Sequence, residues 1–119
     1  MLQKNSYVTV SDSCGVWNVR IFHIYKGFQH KLALTSDFVK VSVRKTAPTS
    51  WLKKGKKSKA LVIRTRFRTN KCDGSFVCSS DNSVMLLKKR MTPRGKELLG
   101  PITYGLRRRK VNSSFIGII

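Results

Sequence analysis

Apolar and polar side chains alternate through much of residues 1–90, and this period of two is typical of half-buried β-strands. Residues 38–44 place valine at each odd position, with mostly polar side chains between. Residues 60–68 are apolar at both parities in their first half and alternate strictly in their second half. Shorter runs at 7–10 and 16–25 predict two further strands.

Turn residues separate these runs at intervals of roughly ten residues, as in small β-barrels and sandwiches. Aspartates at these turns can accept hydrogen bonds from backbone N–H groups. They are Asp12, Asp37, Asp73 and Asp81. Residues 75–78 and 84–87 predict a short strand pair around a turn. Beyond Pro101 the alternation loosens, and residues 104–111 favour a short helix that Gly105 weakens.

The chain has 119 residues, which is enough for one domain spanning 1–119. We expect a barrel over about 1–90 and a helical, basic C-terminal segment over about 91–119. The 40% apolar content supports a modest core, and no apolar run approaches the ~18 residues that span a bilayer. With 25 Lys and Arg against 5 Asp and Glu, the formal charge is +20. This charge favours a polyanionic partner, nucleic acid first, over a membrane or a small-molecule substrate.

Cysteine and histidine are few and irregularly spaced. Cys14, Cys72 and Cys78 form an odd set without a CxxC pair, which argues against a disulfide framework. Zinc binding by Cys72 and Cys78 with His23 and His30 fits no common spacing, and thiols packed as small apolar groups are the alternative. The two histidines also leave a small ribonuclease as an alternative. We expect no metal, no cofactor and no enzymatic activity.

Three arginines at alternate positions, Arg64, Arg66 and Arg68, give the strongest indication of phosphate binding. On a strand they would share one face at a spacing of about 6.6 Å, which roughly matches successive phosphates of a nucleic-acid strand. Guanidinium groups bind phosphate oxygens bidentately. Phe67 would face the core on the opposite side. The alternative is a merely solvated strand face.

Further basic clusters lie outside this strand. Residues 53–59 hold five lysines around Gly55 and predict an exposed, mobile loop, with a solubility loop or localisation-like run as the alternative. Trp51 and Tyr104 are open between stacking on unpaired bases and core packing. The candidate nucleic-acid-binding residues of these clusters are Lys53, Lys54, Lys56, Lys57, Lys59, Lys88, Lys89, Arg90, Arg94, Arg107, Arg108, Arg109 and Lys110.

Short motifs follow one another in a specific order along about 110 residues. They are Met1-Leu2-Gln3, Val10-Ser11-Asp12-Ser13-Cys14-Gly15, Val43-Arg44-Lys45-Thr46-Ala47-Pro48, Lys53-Lys54-Gly55, Ala60-Leu61-Val62-Ile63-Arg64-Thr65, Asp73-Gly74-Ser75, Asp81-Asn82, Pro93-Arg94-Gly95, Gly100-Pro101-Ile102 and Leu106-Arg107. This series resembles the universal large-subunit ribosomal protein family fourteen, in its bacterial and organellar form. Each motif alone is weak, but their order and spacing together are specific.

The resemblance implies a mainly β protein: a small closed five-stranded β-barrel with an extended hairpin and short C-terminal helical segments. It implies a structural constituent of the large ribosomal subunit that binds large-subunit rRNA and contributes to translation. It also implies an intersubunit bridge to small-subunit rRNA, neighbouring ribosomal proteins and, in bacteria and organelles, a ribosome-silencing factor. The basic residues above are then candidate rRNA contacts. The alternative is a free-standing basic barrel that binds nucleic acid outside the ribosome.

The chain departs from the family pattern at several positions. Lys56 replaces the Asp that commonly follows Lys-Lys-Gly. Lys96 and Glu97 replace a typical Thr-Arg pair on the surface that the resemblance assigns to the bridge and the silencing factor. This swap leaves open whether that docking is lost or the partner has changed with it. Residues 112–119 replace the usual C-terminal helix.

The sequence drift and the extra charge are typical of an organellar protein. We expect a mitochondrial ribosome in the matrix as its location, with the bacterial cytoplasm as the alternative. The family start coincides with Met1, which predicts an organelle-encoded protein without an import leader. A nuclear reading frame with an upstream leader would contradict this expectation.

Overall fold

The computed structural model describes residues 1–103, and this part of the chain is mainly β. Its strands are β1 (Leu2–Gln3), β2 (Tyr7–Val10), β3 (Val16–Ile24), β4 (Leu32–Ala33), β5 (Phe38–Thr46), β6 (Lys57–Arg64), β7 (Thr69–Asn70), β8 (Phe76–Val77) and β9 (Ser83–Leu87). The strands predicted at 7–10, 16–25 and 38–44 are confirmed. The strand predicted at 60–68 is displaced, because β6 begins at Lys57 and ends at Arg64.

Five strands close into a barrel in the order β2–β3–β5–β6–β9. Neighbouring strands in this series are antiparallel. The barrel is closed by a parallel pair of β2 with β9, in which Thr9 lies opposite Ser83 and Val10 opposite Val84. Closure leaves no free edge in this sheet. The five-stranded barrel implied by the family resemblance is confirmed.

The predicted pairing of 75–78 with 84–87 is wrong. β8 pairs with β7 in a separate hairpin, and β9 pairs with β6 and β2 in the barrel. All five residues of β9 are buried, so this strand needs partners on both edges and cover on both faces. A two-residue strand in an exposed hairpin cannot supply that cover, whereas the barrel can.

Two apolar clusters lie on opposite sides of the barrel wall. The interior is filled by aliphatic side chains such as Val19, Val41 and Val62, which are fully buried. The outer faces of β6 and β9 pack against Leu98 and Ile102. Because the segment around these two residues covers the outside of the wall, residues 60–63 are apolar at both parities.

The chain leaves the barrel after β9 and returns across it through residues 91–103. Isolated bridges join Asp12 to Leu98 and Leu87 to Pro93. The helix predicted at 104–111 lies outside the described residues. Among residues 1–103, no helix has the length and apolar character needed to cross a bilayer.

Candidate nucleic-acid interface

The outer face of β3, β5 and β6 carries two rows of mostly basic side chains. Cross-strand pairing defines the rows as Arg20–Ser42–Lys57 and His23–Lys40–Lys59. Strands in a sheet are about 4.8 Å apart, and positions two apart along a strand are separated by about 6.6 Å. The rows therefore form a regular grid of positive charge. A register shift between Ile21 and His23 brings Arg20 and His23 into adjacent rows although they are three residues apart.

Aromatic rings stand between the cations of this grid. The Lys59 ammonium lies 4.9 Å from the Tyr25 ring centroid and 5.9 Å from that of Phe38. The ammonium groups of Lys40 and Lys57 each lie 5.9 Å from the centroid of Phe22. Rings at this range attract cations and offer flat surfaces to nucleotides. We call the following residues the cationic sheet face: Arg20, Phe22, Tyr25, Phe38, Lys40, Arg44, Lys57 and Lys59.

Most of this face was not selected by sequence reasoning. Lys57 and Lys59 were predicted as a basic loop, whereas the structure places them in β6. Arg20, Lys40 and Arg44 were not predicted as contacts at all. The alternation of valine and polar side chains in 38–44 could have shown that Lys40 and Arg44 lie on the outer side of β5. The strands that complete the surface lie elsewhere in the chain, so the alternation could not show the whole face.

The four aspartates are not members of the cationic sheet face, and each accepts hydrogen bonds from other groups. Asp12 accepts from the Cys14 and Leu86 amides, Asp37 from the Leu34 amide, and Asp73 from the Ser75 amide and hydroxyl. These three confirm the predicted turn role. Hydrogen bonds from Ser75 hold the pKa of Asp73 below its usual range. Among residues 1–103, the ion pairs are Lys26–Asp37 and Arg64–Asp81.

Residues 53–56 form a turn that adjoins the cationic sheet face, and we call it the lysine turn. Lys53, Lys54 and Lys56 are exposed at its tip, where Gly55 has a φ of +88°. The Gly55 amide donates to the Val43 carbonyl at 2.8 Å, and the Val43 amide donates to the Lys56 carbonyl at 2.9 Å. These bonds tie the turn to β5, and the predicted exposure of the three lysines is confirmed.

The three alternate arginines do not form one strand face. The strand ends at Arg64, which is only 9% exposed, while Arg66 and Arg68 follow it and are exposed. Phe67, predicted to anchor the core, is 51% exposed. The Arg66 amide donates to the Asn82 side-chain oxygen at 2.9 Å, which turns the chain out of the barrel wall. Arg66 and Arg68 keep access to phosphate, whereas Arg64 does not.

The Arg64 guanidinium is saturated by acceptors of its own chain, and we call this set of contacts the Arg64 clamp. The acceptors are the carbonyl oxygens of Leu99 (2.8 Å) and Pro101 (3.1 Å), the hydroxyls of Ser11 (2.7 Å) and Ser83 (3.1 Å), and the carboxylate of Asp81 (3.3 Å). A guanidinium carries five N–H donors in a fixed fork, so little donor capacity is left for RNA. The clamp ties the returning segment to the barrel.

Asp81 completes the Arg64 clamp. Its carboxylate accepts from the Ser83 hydroxyl at 2.6 Å and from the Arg64 guanidinium. Partial burial acts to raise the pKa of Asp81, but the Ser83 hydrogen bond and the Arg64 charge outweigh burial, so this pKa lies below its usual range. Asp81 therefore fixes side chains, where the sequence predicted only a turn cap.

The next basic cluster forms a tight turn after β9. Lys88, Lys89 and Arg90 are exposed around it, and the Lys88 amide donates to the Thr92 carbonyl at 2.8 Å. Arg94 is half-buried, and its Nε donates to the Leu87 carbonyl at 3.3 Å. The three turn residues are therefore better placed for an external anion than Arg94. The candidates Arg107, Arg108, Arg109 and Lys110 lie outside the described residues.

Lys96 and Glu97 line an open concavity of about 480 Å³ beside this turn. Its lining residues are Ser13, Cys14, Trp51, Leu52, Lys88, Arg94, Gly95, Lys96 and Glu97. The Ser13 amide donates to the Glu97 carbonyl at 3.1 Å, which fixes the backbone here. Trp51 is 86% exposed, so it is not a core residue. This concavity combines an exposed ring with charges of both signs.

Comparison with known proteins decides the family. The family model described as ribosomal protein L14p/L23e matches residues 1–115. The chain belongs to this family. It is also 44% identical to the large ribosomal subunit protein uL14m of Tetrahymena pyriformis, over the full length of both chains. The family resemblance deduced from the ordered motifs is confirmed.

L14p/L23e is a family of structural ribosomal proteins and not of enzymes. In this member, His23 packs edge-on against Tyr25 with ring centroids 4.8 Å apart, and His30 lines a different part of the surface beside Lys26 and Lys31. Within residues 1–103, no three His, Cys, Asp or Glu side chains gather as metal ligands.

The cysteines of this family member have different environments. Burial, together with the neighbouring Asp12 carboxylate, raises the pKa of the Cys14 thiol to about 12. Cys72 and Cys78 are exposed on the β7–β8 hairpin. Cys14 therefore packs as a small apolar group, as the alternative to zinc binding predicted, whereas the hairpin thiols are accessible.

Proposed function

We propose that this L14p/L23e family member is a structural constituent of the mitochondrial large ribosomal subunit that binds large-subunit rRNA. The observation that carries the proposal is the cationic sheet face, which presents five cations and three aromatic rings with no acidic residue among them. The assignment to mitochondria is supported by the 44% identity to a uL14m protein. Organelle encoding stays a prediction.

The barrel provides a rigid support for charge. Lys40 and Lys59 lie on paired strands, so their separation is fixed by the sheet and not by a flexible loop. RNA binding then needs little ordering of the backbone, because the cations are already in place. Contacts of this kind recognise the position of the RNA backbone and its shape more than base edges, because the deep, narrow major groove of A-form RNA is closed to side chains.

The exposed basic clusters extend the same interface. The lysine turn continues the cationic sheet face beyond β5 and β6. Arg66 and Arg68, between β6 and β7, and the turn after β9 supply further contacts. The proposed rRNA contacts in the described residues are Arg20, Lys40, Arg44, Lys53, Lys54, Lys56, Lys57, Lys59, Arg66, Arg68, Lys88, Lys89 and Arg90. Arg64 is excluded, since the Arg64 clamp uses its donors. Arg107–Lys110 stay predicted contacts.

The concavity with Lys96 and Glu97 suits a different kind of partner. The exposed Trp51 supports a protein partner, because tryptophan is enriched in protein–protein interfaces. We assign to it the bridge to small-subunit rRNA and contacts with neighbouring ribosomal proteins, as the family resemblance implies. A silencing factor that docks there would need a cation opposite Glu97.

Sedimentation tests the proposal directly. The tagged chain should co-migrate with mitochondrial large subunits on a sucrose gradient and remain bound after a high-salt wash, because a built-in ribosomal protein is also held by RNA shape and by its protein neighbours, whereas phosphate contacts alone weaken as salt rises. Release into the soluble fraction at moderate salt would favour the free-standing nucleic-acid-binding barrel instead. RNA cleavage by the purified chain that is lost in His23→Ala and His30→Ala would favour the nuclease.

A further inference from the structure

A groove on the cationic sheet face has the features of a built anion site. It is an open concavity of about 440 Å³ between β3, β5 and the lysine turn. Its lining residues are Arg20, Phe22, Ser42, Arg44, Gly55 and Lys57. We call it the Arg20–Arg44 groove. Three of the six lining residues are cations and none is an acid, so the groove attracts negative charge.

Two of the residues that line the groove each carry a buried donor without an acceptor. The Nε atoms of Arg20 and Arg44 are inaccessible to solvent and have no hydrogen-bond partner among the described residues. A different nitrogen of Arg20 does have a partner: its Nη2 donates to the Asn5 side-chain oxygen at 2.6 Å. A buried donor without an acceptor destabilises the free protein. An anion in the groove removes this cost if its binding turns the two side chains so that their Nε–H groups face it.

The strand pairing sets the cations around a common centre. Arg20 and Lys57 both lie opposite Ser42, one on each side, and Arg44 is two residues further along β5. Each of the three side chains therefore begins within about 5–7 Å of Ser42. Guanidinium and ammonium groups so placed can surround one tetrahedral phosphate, with Arg44 and Arg20 donating from their planar forks.

The surroundings favour an RNA backbone over a free anion. The second row, with Lys40 and Lys59, continues from the groove at about 6.6 Å. Phe22 links the two rows, because the ammonium groups of Lys57 from the first and Lys40 from the second lie equally far from its ring centroid, at 5.9 Å. A free phosphate would use one row only, whereas a strand of RNA would use both.

We infer that the Arg20–Arg44 groove binds one phosphate of an RNA strand whose backbone continues over Lys40 and Lys59. This inference rests on the proposed rRNA function and adds to it a specific phosphate position. The groove was not detectable from local sequence, because its cations come from three strands.

The test compares two variants of the full chain that lose the same charge. Arg20→Gln/Arg44→Gln removes two cations from the groove. Lys4→Gln/Lys31→Gln removes two exposed cations elsewhere. Filter binding to mitochondrial large-subunit rRNA is measured across a series of KCl concentrations, with thermal unfolding as a check that both variants fold. The groove variant should bind at least tenfold more weakly and lower the salt slope by about 0.7, the value for one phosphate on a single strand.

The outcomes separate the groove from the function. If the wild-type chain shows no preference for large-subunit rRNA, the proposed function fails. If the wild-type chain binds but both variants behave alike, only the groove is overturned.

A second measurement identifies the source of the phosphate. In ¹⁵N-resolved NMR spectra, the Arg20 and Arg44 Nε–H signals should shift on addition of a uridine dodecamer. Equal shifts with inorganic phosphate at the same phosphate concentration would overturn the RNA assignment in favour of a free-anion site.

Discussion

The Arg64 guanidinium lies directly against Gly100: a Cβ atom added at that glycine would stand 2.5 Å from Arg64 Nη1. Gly100 also has a φ of +79°, in the left-handed region that disfavours other residues. The close approach allows Nη1 to reach the carbonyl oxygens on either side, those of Leu99 and Pro101. These two observations explain why the Gly-Pro-Ile motif begins with glycine in this chain.

Gly100→Ala should destabilise the protein, because the methyl group displaces Arg64 from its acceptors. Gly74→Ala is a matched control, since Gly74 has a φ of +88° but no atom within 4 Å of its added Cβ. Each variant should lose about 1–2 kcal/mol of unfolding free energy, because alanine disfavours the left-handed backbone conformation. Gly100→Ala should lose about 1–3 kcal/mol more, because its methyl group overpacks the contact with Arg64. Urea unfolding measures the difference. Equal losses would show that Arg64 is free to move.

Arg64→Met should also destabilise the fold, by about 3 kcal/mol, because it leaves buried acceptors unpaired. Arg66→Met should change the free energy of unfolding by no more than about 0.5 kcal/mol, since Arg66 is exposed. The order reverses for rRNA binding, where Arg66→Met should lower the salt slope and folded Arg64→Met should not. A lower salt slope with unchanged stability in Arg64→Met would restore the original strand-face prediction.

Asp81 should make stability depend on pH in the acid range. Its pKa is lower in the folded state, so its contribution is fully present above the ordinary value of 3.8 and is lost as the pH falls through the lowered folded value. Asp81→Asn should reduce stability near neutral pH and make the acid loss shallower. Urea unfolding between about pH 6 and about pH 2.5 measures both effects. An acid dependence identical to that of the wild type would contradict the Arg64–Asp81 contact.

The thiols should react in two classes. Cys72 and Cys78 are exposed and should be alkylated by iodoacetamide in the native protein at about pH 8. Cys14 should resist, because burial raises its pKa to about 12 and leaves almost no thiolate at that pH. Peptide mass spectrometry after native labelling, and again in urea, distinguishes the classes. Native labelling of Cys14 at the rate of the hairpin thiols would contradict its packed environment.

Lys40→Gln should weaken rRNA binding as much as Lys59→Gln, although only Lys59 belongs to a basic run in the sequence. Each should lower the salt slope by about 0.7 if it contacts one phosphate of a single strand. Lys31→Gln, which removes an exposed cation outside the cationic sheet face, serves as the control. Filter binding across KCl concentrations gives the slopes. Agreement of Lys40→Gln with the control would remove β5 from the interface.

The strand positions were largely predictable, because alternation at 38–44 reflects one buried and one exposed face. The direction of Arg64 was not. In β6, Ala60 and Val62 line the interior, while Leu61 and Ile63 are buried on the outside beneath residues 98–102. When both faces of a strand are covered, parity no longer shows which side meets water. The arginine therefore resembles a surface residue in the sequence while it is enclosed in the fold.

The interface was predictable only where its cations are adjacent in the chain. The lysine turn is visible as a basic run, but Arg20 stands alone in its segment and joins Lys57 only through the pairing of β3, β5 and β6. Such a surface depends on strand order and register, which are long-range properties of the fold. Sequence reasoning predicts a polyanionic partner and selects only Lys57 and Lys59 from the cationic sheet face proposed to bind it.

The parallel pairing of Thr9 with Ser83 sets a constraint on the order of synthesis. β2 can pair with β3 early, but its other edge stays open until residues 83–84 have been made. Any sheet that forms before then has an unpaired edge and an uncovered aliphatic face, and both features favour association with other chains. Addition of β9 closes the sheet edge and covers the aliphatic face, which removes the two features that favour association with other chains.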